Sequence, residues 1–334
     1  MESLETSSTQ QKGRIRQFAA LFWDAITGKS IDLTSASLSK SIWFLAIPMI
    51  LEWSMESVFA LVDIFFVGRL GQEAIAVVGF TETMITILYA VAIGLSMTVT
   101  GVVARRVGEG NVDQANVVGM QAIIIGVVLS AVIAVFGSIY APDLLWLIGA
   151  EPEVIEQGSS YTRILYGGST TIFLLFLING VFRGAGDASL AMRSLWIANG
   201  ANIILDPLLI FGIGPFPEMG VAGAAVATTI GRSLGVGYQL YALLRGSGLI
   251  RITRKSLVVV PQVIKKLLKL SIGGIGQFIV GTTSWVFLAW IVGFGGTTAM
   301  AGYQVGLRII FFTFLRRELK DAMLAELGRK VRRN

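Results

Sequence analysis

The sequence predicts an all-α polytopic membrane protein of about eight transmembrane helices: one complete six-helix N-lobe and the first two helices of a parallel-repeat C-lobe. Three observations lead there. Hydrophobic residues make up 54% of the 334-residue chain and charged residues only 14%, where a soluble domain carries about a quarter charged residues. The apolar residues fall into runs of the length, about 20 residues, that crosses a hydrocarbon core. The stretch 67–76 also returns at 292–301, with six of these runs lying between the two copies.

Taken in order, residues 1–40 are polar, lack a signal-peptide pattern and form a cytoplasmic N-terminal segment. Within it Arg14 to Ile26 is expected as a short helix on the membrane surface. Residues 41–246 hold spans at about 42–67, 81–104, 117–140, 161–182, 190–212 and 220–244. Residues 247–269 make a basic loop between the lobes, and 270–315 hold two further spans, 270–292 and 298–315. The eighth is a poor span because Arg308 lies inside it. Residues 316–334 read as a basic amphipathic tail on the inner leaflet.

Loop charges set the orientation. One set of loops carries Arg105, Arg106, Arg183, Arg193 and the basic residues from Arg245 to Lys269; the alternate set carries Asp143, Glu151, Glu153, Glu156 and Glu218. The positive-inside bias places both termini in the cytoplasm of a multi-pass protein of the cell (inner) membrane. It also accounts for the net charge of +6 without nucleic acid as a partner. Trp43, Trp146 and Trp196 near span ends read as interface anchors. Cysteine and histidine are absent, which excludes disulfides, thiol nucleophiles and the commonest transition-metal ligands.

The repeat has an offset of 225 positions. Five of ten residues match, with Gly68 falling on Gly293 and Gly71 on Gly296, while Pro48 falls on Gly273. An even number of intervening helices keeps both copies in one orientation, as in parallel repeats about an axis along the membrane normal. The second copy holds two spans where the first has six, the pattern of a 12-helix protein short of its last four.

Polar residues inside the spans carry the functional argument. Asp63 closes the first apolar run, and Asp206 lies inside the fifth with Asn202 one turn before it. A carboxylate in lipid costs several kcal/mol, so such residues usually face a cavity and have a function. Glu52, Glu56 and Asp63 lie within about 40° of one another on a helix, and Asn199, Asn202 and Asp206 share one face. Asp63, Asn202 and Asp206 are therefore the candidate site for a proton or Na⁺, against the alternative of helices joined by hydrogen bonds. Glu52, Glu56, Asn199, Asn179, Arg232 and Gln277 are candidate cavity-lining residues, with Arg232 either a structural counter-ion or a gate. Pro48 and Pro207 are candidate bending points; because Pro207 follows Asp206, bending there is expected to move the carboxylate.

Several motifs in this order resemble the multidrug and toxic compound extrusion (MATE) transporters: Asp63-Ile-Phe-Phe-Val-Gly-Arg-Leu-Gly71, Val103-Ala-Arg-Arg-Val-Gly-Glu-Gly110, Arg183-Gly-Ala-Gly-Asp187, Asn202-Ile-Ile-Leu-Asp-Pro207 and Gly220-Val-Ala-Gly-Ala-Ala-Val-Ala-Thr228. The resemblance covers about residues 40 to 315 and is greatest to the prokaryotic DinF-like branch. It implies two lobes around a V-shaped cavity and an antiporter, not an enzyme, that exports small amphipathic cations against H⁺ or Na⁺. No cofactor and a monomeric full-length protein are implied. It also implies that Tyr161 joins Asp63, Asn202 and Asp206 in the N-lobe ion site. Gln277 stands where other branches often hold an acid, so no C-lobe ion site is expected. A lipid-precursor flippase of the same superfamily and a truncated, non-transporting remnant are the alternatives. The flippase requires a strongly basic cavity, whereas acids surround Arg232 in this sequence.

Overall fold

The computed structural model describes residues 20–29, 37–246, 248–252, 256–310 and 313. Among these residues all regular structure is helical. The helices are α1 (Leu38–Gly68), α2 (Gln72–Gly108), α3 (Val112–Ile139), α4 (Ala141–Leu147), α5 (Pro152–Gly167), α6 (Ser169–Gly184), α7 (Ala188–Ile210), α8 (Val221–Arg245) and α9 (Pro261–Gly293). A last helix, α10, runs over 296–310.

Over the described residues every apolar run coincides with helix, the fourth spanning α5 and α6, which break at Gly168. A side chain there would press on Thr229 and the Ile164 carbonyl. Four helices, counting Pro152–Gly184 as one, are long and apolar enough to cross a membrane. The run over 296–310 passes through Arg308 without interruption; the charge that made this span look poor has a partner, described below. The predicted end at 315 and the tail 316–334 lie outside the described residues, as do 247, 253–255 and the first part of the Arg14–Ile26 segment. The rest of that segment is helical at 20–27. It packs on the bundle, Ala25 against Phe44 and Ile47, and its Ile26 carbonyl accepts from Arg193 at 2.9 Å. Trp23 points outward.

Small residues let the helices approach closely, the usual basis of packing where lipid removes the hydrophobic drive. Gly231 and Gly235 of α8 lie on the backbone of α7, where a Cβ would come within 2.5 Å of the Ala198 carbonyl and 2.8 Å of the Ser194 carbonyl. Gly180 of α6 sits against Ser96 of α2, and the hydroxyls of Ser96 and Thr100 donate to the Phe176 and Gly180 carbonyls at 2.7 and 3.0 Å. At the crossing of α9 over α2, a Cβ on Gly94 would lie 2.6 Å from the Ile275 nitrogen. The core runs through α2, α5 and α6, with Phe80, Phe173 and Phe182 fully enclosed. Val128, Val132 and Phe136 of α3, and much of α9, face outward.

Candidate functional site

Two cavities share a wall inside the bundle. The smaller, about 200 Å³, is lined by Glu56 and Asp63 of α1, Glu82 and Tyr89 of α2, and Tyr161 of α5. Thr228 and Arg232 of α8 and Arg308 of α10 complete it. The larger, about 610 Å³, lies among α1, α2, α9 and α10 and is walled by Trp53, Phe278, Trp285 and Tyr303, with Gln277 beside them. Glu82, Thr86 and Arg308 border both.

Asp63 is 4% exposed, Asn202 2% and Asp206 0%. Asn202 Nδ2 donates to Asp206 Oδ1 at 3.3 Å and to Thr228 Oγ1 at 2.9 Å, which links the α7 pair to the cavity wall. Asp206 Oδ2 and Asn202 Oδ1 are buried without a hydrogen-bond partner. Asp206 also lies within coulombic reach of Asp63. Buried oxygens are normally satisfied, so two orphaned acceptors one helical turn apart, close to a second carboxylate, form a ready site for a proton or a hard cation.

The structure separates the other candidates. Glu56 lines the small cavity and accepts from Asn199 Nδ2 at 2.8 Å. Gln277 lines the large one. Glu52 lines neither: it turns away to Arg183, Nη1 to Oε1 3.1 Å, in a partly buried ion pair. It lies one turn from Glu56 and eleven residues from Asp63, on the side of α1 toward Arg183. Asn179 also lies outside both cavities; its Oδ1 accepts from Ser194 Oγ at 2.9 Å and Gln239 Nε2 at 2.7 Å, tying α6, α7 and α8 together. Arg232 faces the small cavity, and its Nη2 donates to the Tyr89 hydroxyl. Pro48 lies inside α1, but Pro207 occupies the final turn of α7, which ends at Ile210.

Four lining residues went unnoticed in the sequence: Glu82, Tyr89, Thr228 and the site role of Arg308. Arg308 Nη2 meets Glu82 at 2.5 Å, neutralising a charge that looked like a defect of the eighth span. The small cavity thus holds two guanidinium groups, not the single one expected. A signal existed. Glu82 and Arg308 are 226 positions apart, one more than the repeat offset, and Gln304 Nε2 donates to the Gly79 carbonyl at 3.1 Å across the offset of 225. Equivalent positions of two repeats meet only near the axis relating them.

A family model described as MatE matches residues 48–208, which include Asp63, Asn202 and Asp206. Over those residues the chain is similar to the MATE family. This is a family of transporters, not of enzymes. The chain is 35% identical to the FAD transporter of Shewanella oneidensis over 59% of its own length and 43% of the relative's. It is 26% identical to the probable multidrug resistance protein NorM of Thermotoga maritima, over 83% of this chain and 60% of that one. A solved multidrug resistance MATE family transporter in an outward-facing conformation superposes with a TM-score of 0.74 at 26% identity, covering 86% of this chain and 64% of the other. The chain thus spans about two fifths to three fifths of the length of these curated relatives.

Proposed function

We propose that this protein is a secondary active antiporter that exports small amphipathic cations in exchange for H⁺ or Na⁺ bound at Asp63, Asn202 and Asp206. Tyr161 contributes a hydroxyl beside Asp63, and the protein acts as a monomer in the cell membrane with its basic loops inside. The supporting observation is the pair of orphaned oxygens, Asp206 Oδ2 and Asn202 Oδ1, beside Asp63 and the small cavity. Among the described residues no group of three or more acidic side chains could hold a metal ion. An ion here would be held by two carboxylates with amide and hydroxyl oxygens, a weak, exchangeable arrangement that suits release on every cycle.

The test is reconstitution of the chain in liposomes under an imposed H⁺ or Na⁺ gradient. Ion-driven ethidium flux is expected from the unaltered chain and none from Asp63→Asn or Asp206→Asn; equal flux from both variants overturns the reading. Export of a flavin dinucleotide is a second reading, favoured by the Shewanella oneidensis relative and by Arg232 and Arg308 on the cavity walls. Competition by FAD for the ethidium flux separates the two.

A further inference from the structure

We propose that the Glu82–Arg308 ion pair is the relay between the two cavities. A planar aromatic cation entering the larger cavity takes Glu82 as its counter-ion, Arg308 turns to Asp63, and the ion held at Asp63 leaves. This rests on the coupling reading above and adds to it a route between the two cavities.

The geometry supports each step. The pair is the partition itself: Glu82 and Arg308 border both cavities, and α10 is joined to α2 through them. Both contacts to Glu82 come from the single nitrogen Nη2 of Arg308, while its Nε is buried without a hydrogen-bond partner. The guanidinium therefore keeps a spare donor in a place where an unmade hydrogen bond is costly. Asp63 lies within its coulombic reach. Arg308 is also the only charged residue between 270 and 310, and the lysines of α9, Lys265, Lys266 and Lys269, line neither cavity. Arg232 is less free to serve, since the Tyr89 hydroxyl already holds it.

Charge counting favours a cation. The groups around Asp63 are the carboxyls of Glu56, Glu82 and Asp206, the hydroxyls of Tyr89 and Tyr161, and the guanidiniums of Arg232 and Arg308. Four carboxyls including Asp63 face two guanidiniums, a deficit of two positive charges that bound ions must fill. When a cationic substrate takes over Glu82, Arg308 supplies one of those charges to Asp63, and a proton there passes to water in the cavity. The aromatic wall of Trp53, Phe278, Trp285 and Tyr303 suits a flat cation, by stacking and cation–π attraction, and about 610 Å³ is an ordinary size for such a ligand site. An aromatic anion would instead compete with Glu82 for Arg308 and bind more tightly when the ion is present.

The experiment is ethidium binding to the purified full chain in nanodiscs, followed by fluorescence on acidification and on replacing choline with Na⁺. The unaltered chain should lose affinity by at least about tenfold when the coupling ion is supplied. Glu82→Gln should weaken ethidium binding by about tenfold, and Trp285→Ala should weaken it while keeping the ion effect. Arg308→Met should bind ethidium but lose the ion effect. Since Arg308→Met leaves Glu82 unpaired, the neutral double variant Glu82→Gln/Arg308→Met, checked for monodispersity, provides the same readout. An ion effect that persists in the double variant overturns the relay and leaves the coupling reading standing. No ion effect in the unaltered chain overturns both. FAD binding that tightens with the ion replaces the cation with an anion and overturns the proposed substrate class.

Discussion

The first helix pair, α1 and α2, and its repeat, α9 and α10, share a backbone plan but not a chemistry. Moving 225 positions along the chain turns the acidic residues Glu52, Glu56 and Asp63 into Gln277, Gly281 and Leu288. The face of α1 that carries these acids packs on α7, where Asn199 donates to Glu56 and the Trp196 indole donates to the Leu51 carbonyl at 3.2 Å. The equivalents of Leu51 and Glu56 are Gly276 and Gly281, which have open space around them. In the other direction Arg308 of α10 falls on Thr83 of α2. The first copy thus carries the acids, while the second supplies Arg308 and three of the four aromatic side chains on the larger cavity's wall. A repeat fixes where helices run; individual side chains then give each copy its part.

The largest expected effect comes from removing the acid that only the first copy has. Asp63→Asn should reduce ion-driven efflux by about a hundredfold, at the upper end of ordinary coupling energies, with expression and monodispersity unchanged. The glycine contacts give the next contrast. Gly94→Leu places side-chain atoms into the α9 backbone and should destabilise by about 2–3 kcal/mol, seen as a lower thermal midpoint. Gly273→Leu, with nothing within 4 Å, should stay within about 0.5 kcal/mol. Placing an acid in the second copy is the third test: Leu288 is 42% exposed on the outer face of α9, so Leu288→Asp should cost about 2 kcal/mol in membrane stability and create no second ion site. A gain of coupling would show that the copies are interchangeable.

The smallest effect is at the basic end of the bundle. Arg105 and Arg106, each 2.8 Å from Glu109, hold its carboxyl below the usual carboxylate range. A depressed carboxyl stabilises the folded state above its unfolded range and loses that contribution as the pH falls through its folded value. The group is on the surface and screened by salt, so Glu109→Gln should match the unaltered chain at low pH and lower the neutral-pH melting temperature only slightly. The acid limb of the variant's stability profile should be correspondingly shallower.

Asp63, Asn202 and Asp206 were legible in the sequence because a polar residue within an apolar run is conspicuous, and the helical period shows which ones share a face; Tyr161 came only from the family resemblance. Glu82 was hidden by its position at the edge of the second run, where an acid resembles an interfacial residue. Arg308 was visible, but as a flaw in the eighth span. Asn179 was visible too and misplaced, because a lone amide in a span reads the same whether it faces a cavity or, as here, joins Ser194 and Gln239.

By itself the sequence determined the helix positions, the repeated stretch 67–76 and 292–301, and the buried acids Asp63 and Asp206. Each follows from local properties: run length against the hydrocarbon core, period along a helix, and the cost of a charge in lipid. Only the tertiary structure decided which charges meet. Glu82 and Arg308 come together because α2 and α10 pack beside the axis relating the two copies. That contact depends on the close approach of glycines such as Gly79 and Gly94 to their neighbours, and no local property of either charged residue contains it.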